Sequence, residues 1–431
     1  MKGRSFKFWQ WETLAVTMIG YALYYFIRKN LSIAMPLLGE IGVSKVQLGA
    51  FLTCGGIVYG VGRFLNGIVA DRNSARKVMA LGLVICAGVN IAFGCVPPVV
   101  WLMGLLWIGN SYFQGMGVGP CIKTLPQWFP PEELSTKQSI WNLSHSLGAG
   151  AVFALCGWFL IPAFHSWRLC FIMPALIALV GAAAILLLFK DSPTDLGFPA
   201  ILTTSAKPLE TAEERAAYKA YVREHVFRNP RVWTIAVADF FVYTVRFAAL
   251  DWGIVLLMET KGLSLAQATT LCFVFEIIGG NCGMVVAGWA TDRFFGSRAH
   301  RTSVFCLLGA ALAILVFWTV PTSAPLAVKL VPFLFIGFFI YGPQALLGIA
   351  TTQQATPRAA GVAGGFVGIF SYASTVLSGV GFGYIAQRWG WNAAYVTVVV
   401  AALLGAMALL PIWRAGVSRC EAPTKNVVEG C

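Results

Sequence analysis

Gly20-Tyr21-Ala22-Leu23-Tyr24-Tyr25-Phe26-Ile27-Arg28-Lys29-Asn30 lies inside the first long apolar run of a 431-residue chain and puts two adjacent cations at membrane depth. At helical spacing Tyr21, Tyr25, Arg28 and Lys29 fall at i, i+4, i+7 and i+8, so two phenols and two cations are expected on one stripe of one helix. A cation at the bilayer centre costs roughly 3 kcal/mol on insertion scales, and an intramembrane Arg or Lys therefore marks a ligand or ion path. The stripe is expected to face a watery cavity, and its chemistry reads as an anion site.

The rest of the chain sets the frame. It is 58% hydrophobic and 11% charged, with a mean hydropathy of +0.74, whereas a soluble domain carries about 25% charged residues. Apolar runs of 18 or more residues, each able to cross roughly 30 Å of hydrocarbon, recur along the whole length. Twelve such runs are read at 12–37, 47–70, 78–96, 100–125, 138–160, 168–189, 231–257, 266–290, 303–320, 327–350, 360–385 and 392–413. These lengths fit helices, so the expected class is an all-α integral membrane protein. The first run follows Lys2, Arg4 and Lys7 but is too long for a signal peptide and has no small-residue cleavage site, so it is expected to stay in place.

A net charge of +13 would suit nucleic acid, but the distribution follows the positive-inside rule instead. With both termini cytoplasmic, 21 of the 31 cations lie inside and 5 outside (Lys45, Arg168, Lys261, Lys329, Arg388). The other 5 lie within spans: Arg28, Lys29, Arg63, Lys123 and Arg246. Eleven cysteines without a C-x-x-C pair read as packing residues, so neither a metal site nor a disulfide framework is expected.

The second run repeats the phenol-plus-cation pattern with Tyr59 and Arg63, and Asn66 follows a turn later. Gly67, Asp71-Arg72 and Arg76-Lys77 come next, and Gly288 and Asp292-Arg293 recur 221 residues further on with Arg298 and Arg301 behind them. Tyr25 and Arg28 match Tyr243 and Arg246 at an offset of 218; Pro131 matches Pro357 at 226, and Trp167 matches Trp391 at 224. A nearly constant offset across so many landmarks signals an internal repeat of two six-helix units. The expected division is residues 1–189 for the first half, 190–230 for a cytoplasmic linker and 231–431 for the second half with its tail. Within the linker, Glu210 to Arg228 reads as a charged helix whose charges are a solvated face.

These residues carry a resemblance that spans essentially the whole chain. Gly20–Pro36 (GYALYYFIRKNLSIAMP), Tyr59–Lys77 (YGVGRFLNGIVADRNSARK), Phe113–Pro120 (FQGMGVGP), Trp141–Gly148 (WNLSHSLG), Asp191–Pro199 (DSPTDLGFP), Val242–Trp252 (VYTVRFAALDW) and Gly365–Tyr372 (GFVGIFSY) are similar to the organophosphate:phosphate antiporter family of the major facilitator superfamily. The Arg28-Lys29 pair with Arg246 is the specific part. The loop motif between Asp71 and Arg76 is one residue longer than the superfamily's general form, as in this branch. Gly337–Gly348 (GFFIYGPQALLG) resembles the hexose phosphate members, which include a sensor-like homologue as well as transporters.

The resemblance implies a major facilitator fold of 12 transmembrane helices in two pseudo-symmetric halves, with roles for particular residues. Arg28 and Arg246, one per half, would converge on a substrate phosphate, a task that suits guanidinium because its planar fork binds phosphate oxygens bidentately. The competing reading pairs each arginine with an intramembrane carboxylate, for which Asp239, Asp251 and Glu276 are candidates. Lys29 and Asp251 correspond to a pair that trades partners during the cycle, and Glu276 to an acid near the second arginine. Arg63 occupies a basic position of relatives, and His145 matches a family histidine, although an intramembrane His also serves as a packing residue. Tyr21, Tyr25, Tyr59, Tyr243, Tyr372, Gln114 and Asn142 are candidates for hydrogen bonds to the substrate or contacts with a sugar, against a packing role for each tyrosine alone. Asp71, Arg72, Asp292 and Arg293 are candidates for gating through the inter-helix loops. Lys123 is either a weak site candidate or a cation that snorkels to the cytoplasmic end.

No nucleophile elbow, Walker loop, dinucleotide turn or histidine cluster is present, so neither an enzyme nor ATP-driven transport is expected and no cofactor is implied. The reading is a secondary antiporter, expected as a monomer in lipid of the bacterial inner membrane, exchanging hexose phosphate (glucose 6-phosphate foremost) for inorganic phosphate. Two alternatives stand beside it. A sensor of external hexose phosphate would signal to a membrane kinase through the same site, and an organic-anion or drug efflux protein would carry fewer cations in the first helix.

Overall fold

A break midway along the first crossing sets the plan of the molecule. The computed structural model describes residues 5–199, 212–356 and 359–416, and among them the chain is helical without strands. Pro357, residues 200–211 of the linker and the tail beyond 416 lie outside the described residues. Among the described residues, nine stretches are long and apolar enough to cross a membrane, the last of them Ala360–Ile412. That last stretch is two crossings, because Gly390 interrupts it with φ 77°, a conformation that an L side chain resists. Two further crossings, the first and the fourth, are each broken midway, giving the twelve expected from the apolar runs.

The first crossing is Phe6–Phe26 followed by Asn30–Glu40, so the single continuous helix expected through Tyr21, Tyr25, Arg28 and Lys29 is not formed. At the break the Arg28 and Lys29 amides both donate to the Tyr25 carbonyl, at 3.1 and 3.0 Å. Buried amide side chains satisfy the interrupted backbone and pin the restart. Asn110 Nδ2 donates to the Ile27 carbonyl at 3.4 Å, and Asn30 Nδ2 donates to Asn90 Oδ1 at 2.8 Å and to the Cys170 carbonyl at 3.1 Å. An irregular backbone at membrane depth survives where protein supplies such partners. The seventh crossing repeats the device, running as Pro230–Asp251 and then Gly253–Lys261 across Trp252. The fourth is split into Val100–Gln114 and Val118–Trp128. In the linker, Ala212–Val222 continuing through Phe227 forms the expected helix.

Close helix packing seals one end of the molecule. The second crossing, Lys45–Arg72, meets the eleventh so closely that a Cβ on Gly49 would lie 2.6 Å from the Gly379 carbonyl oxygen. Thr53 Oγ1 donates to the Thr375 carbonyl at 2.6 Å along the same seam and accepts from the Val380 amide at 2.9 Å. The fifth and eighth crossings make a second seam where Gly157 faces Thr269. At the rim, Lys45 Nζ lies 2.8 Å from Glu259 Oε2, which also accepts from Trp391 Nε1 at 2.8 Å. The opposite end, which carries the N-terminus, the linker and the loops at Asp71 and Asp292, is open: Arg63, Ile122 and Asn142 line the cavity toward that end and are exposed.

Small residues let membrane helices approach, so Gly49→Leu should disfavour this closed seam. Spin labels at positions 41 and 388 should move apart in Gly49→Leu relative to the parent; an unchanged distance distribution would show that the seam does not hold this end shut.

Candidate functional site

Between the sealed seams and the open end lies a cavity of ≈ 350 Å³. The break in the first crossing delivers two cations to it in different directions. Arg28 places its guanidinium carbon 3.9 Å above the Tyr59 ring and 5.4 Å from that of Tyr25. Lys29 turns to the other half of the molecule, where Nζ meets Asp251 Oδ1 at 2.6 Å and Ser32 Oγ shares that oxygen at 3.3 Å. The ion pair thus joins the break in the first crossing to the end of the helix before Trp252 in the seventh. Both partners are largely desolvated, and removing one would leave an uncompensated charge.

Arg246, 5% exposed, enters from the seventh crossing. Its NH2 lies 3.3 Å from the Tyr341 hydroxyl and 4.0 Å from Glu276 Oε1, while the Tyr341 hydroxyl donates to Glu276 Oε2. The carboxylate is therefore committed first to the phenol. The Nε–H of Arg246 is buried without a partner among the described residues. Arg28 and Arg63 have no carboxylate within 4.0 Å among the described residues, and Arg63 faces the phenols of Tyr372 and Tyr59. Of the three carboxylates weighed as arginine partners, Asp251 serves Lys29, Asp239 accepts from Ser371 Oγ, and only Glu276 approaches an arginine.

The fifth crossing begins as Pro131–Val152 and supplies the facing wall. It lies tightly on the first because a Cβ on Gly148 would collide with the Ala22 carbonyl. One turn away, His145 Nδ1 contacts the Asn142 carbonyl, which can only accept, so Nδ1 carries a proton, and Nε2 lies 3.3 Å from Ser146 Oγ. The ring lies 5.5 Å from that of Tyr25, and Tyr21 stacks on Trp141 at 4.8 Å.

Of the residues expected at the site, Tyr21, Tyr25, Arg28, Lys29 and Arg63 line the cavity from the first two crossings. Asn142, His145, Tyr243, Arg246 and Tyr372 line it from the others. Tyr59 lies behind Arg28 and packs on Tyr372 at 5.1 Å. Asp251 and Glu276 act on the wall through Lys29 and Tyr341. Gln114 is 2% exposed beside the break in the fourth crossing and does not line the cavity. Asp71, Arg72, Asp292 and Arg293 are exposed at the open end, away from the cavity. Lys123 donates to the carbonyls of Ala70, Asp71 and Asn73 at 2.8–3.1 Å, capping the second crossing instead of entering the site. Sequence reasoning did not single out Phe247, Gln344, Met284 or the Tyr341 phenol; the spacing of Tyr341 and Gln344 at i, i+3 was the available signal.

A cationic cavity on broken helices, closed at one end, is the architecture of a membrane carrier for anions. The sequence pattern of the Major Facilitator Superfamily matches residues 17–379, and the chain belongs to that superfamily, within its organophosphate:phosphate antiporter branch. It is 36% identical to the glycerol-3-phosphate transporter of Bacillus subtilis, covering 92% of this chain and 91% of that one. The identity is 32% with the probable hexose phosphate transport protein of Chlamydia trachomatis (96% and 92% covered) and 33% with the membrane sensor protein UhpC of Escherichia coli (96% and 94% covered). Among solved structures, a bacterial homologue of the human lysosomal transporter Spinster superposes with a TM-score of 0.74 at 17% identity, over 94% of this chain and 97% of the other, a likeness of fold. Membership in this superfamily makes the chain a multi-pass membrane carrier and not an enzyme.

Proposed function

We propose that the protein exchanges a hexose phosphate, glucose 6-phosphate foremost, for inorganic phosphate across the bacterial inner membrane by alternating access. The observation that carries this reading is the pairing of Arg28 and Arg246, one from each half, in one cavity with incomplete compensation by carboxylates. A phosphate dianion offers each guanidinium a pair of oxygens and bridges the halves. The tyrosine and Trp141 faces suit the apolar face of a sugar ring. Positive charge concentrated on the side of the termini supports a cytoplasmic location for both of them, and each monomer holds a complete site. In this assignment Asp71, Arg72, Asp292 and Arg293 meet across the halves when the open end closes.

Lys29 and Asp251 act as the switch, exchanging partners as the halves rock. Asp251→Asn should therefore slow turnover by about tenfold while substrate affinity changes less than threefold, since the loss of charge at one end of a buried pair falls on the state that needs it. Equal losses in rate and affinity would make Asp251 a direct substrate contact. The exchange itself is tested by uptake of labelled glucose 6-phosphate into liposomes preloaded with phosphate. Uptake that unlabelled phosphate inhibits and glucose does not is the expected result; binding without uptake would favour the second reading, a hexose phosphate sensor acting on a membrane kinase. That reading draws its support from the 33% identity to a membrane sensor protein.

A further inference from the structure

Gln344 stands at the cavity wall with its Oε1 buried and without a hydrogen-bond partner among the described residues. It belongs to the tenth crossing, Leu326–Gln354, three residues after Tyr341, whose hydroxyl touches Arg246. Three residues of helix advance about 4.5 Å along the axis on nearly the same face. That crossing runs toward the open end, because Gln354 lies against Gly416 and the linker-side Asn229. Gln344 is therefore one turn nearer the mouth than the Arg246 layer.

The fifth crossing presents the same arrangement from the other half. It runs inward from Pro131 at the open end, so Asn142 lies one turn nearer the mouth than His145, and the Asn142 side chain is exposed to the cavity. The cavity thus has a deep layer of guanidinium, imidazole and phenol and, a turn outward, a carboxamide from each half. An isolated buried carboxamide oxygen is unfavourable unless a ligand or water donates to it. A carboxamide offers a donor and an acceptor side by side, a match for a vicinal diol.

Resting on the functional reading above, we infer that Gln344 is a specificity-determining residue: with the phosphate on Arg28 and Arg246, its carboxamide binds hydroxyls of the sugar and selects polyhydroxylated phosphate esters over phosphate itself. Losing one or two neutral hydrogen bonds at roughly 0.5–1.5 kcal/mol each corresponds to about tenfold in selectivity.

The test is the ratio of glucose 6-phosphate exchange to phosphate self-exchange, measured as kcat/KM in the same liposomes so that the amount of folded carrier cancels. Gln344→Leu should lower this ratio about tenfold, and Gln344→Asn, which keeps the carboxamide but shortens it, should fall between. A parental ratio in Gln344→Leu, or in Gln344→Asn if the leucine variant yields no folded carrier, would overturn the assignment. So would equal losses for both substrates, which a packing role would produce. A parent that exchanges neither anion would instead defeat the antiport reading on which the inference rests.

Discussion

Arg28→Lys and Arg246→Lys should each weaken binding of glucose 6-phosphate by about a hundredfold or more, although both substitutions preserve charge. Lysine retains a point charge on a flexible stem but loses the planar fork that engages two phosphate oxygens together, a loss of roughly 2–3 kcal/mol for charge-assisted bonds in a partly dry site. The surroundings add to it. Arg28 places its guanidinium carbon 3.9 Å above the Tyr59 ring, and Arg246 is held by the Tyr341 hydroxyl with no partner for its Nε–H among the described residues. Neither support fits an ammonium equally well. Calorimetric titration of the purified variants measures the effect, and near-parental affinity in either would remove that arginine from the site.

The second large effect is the requirement for an internal anion. At the cavity Asp251 is matched with Lys29 and Glu276 is shared between Tyr341 and Arg246, which leaves Arg28 and Arg63 without a carboxylate neighbour among the described residues. Closing the open end around such an excess brings like charges together in a medium of lowered dielectric, at a cost of a few kcal/mol and hence roughly a 10²-fold suppression of the occluded empty state. A bound phosphate dianion reverses the sign and draws the two halves together. Liposomes loaded with phosphate should accumulate external glucose 6-phosphate about a hundredfold faster than liposomes containing no anionic substrate. Equal initial rates would rule out obligatory exchange.

Much of this architecture is legible in the sequence because membrane helices obey strong local rules. Apolar length fixes the crossings, and cations stand out against a background that is 11% charged. The break at Arg28 and Lys29 shows why some of it is not legible. Helical spacing places both cations on one stripe, but the turn after Phe26 sends Arg28 to Tyr59 and Lys29 to Asp251, and the break is held by contacts of Asn30 and Ile27 with Asn90, Asn110 and Cys170 on other crossings. Lys123 went the same way, since the carbonyls that it caps belong to a helix some 50 residues earlier. Gln344 carries no charge to draw attention, and its significance lies in an absent partner, which only the three-dimensional arrangement reveals.

The central claim is that one cavity carries both anions in alternation. It is tested most directly by loading liposomes with labelled phosphate and following its release when glucose 6-phosphate is added outside. Release that saturates with external glucose 6-phosphate, matches its entry in time and is lost in Arg28→Lys is the predicted result. Entry of glucose 6-phosphate with the labelled phosphate retained inside would contradict it.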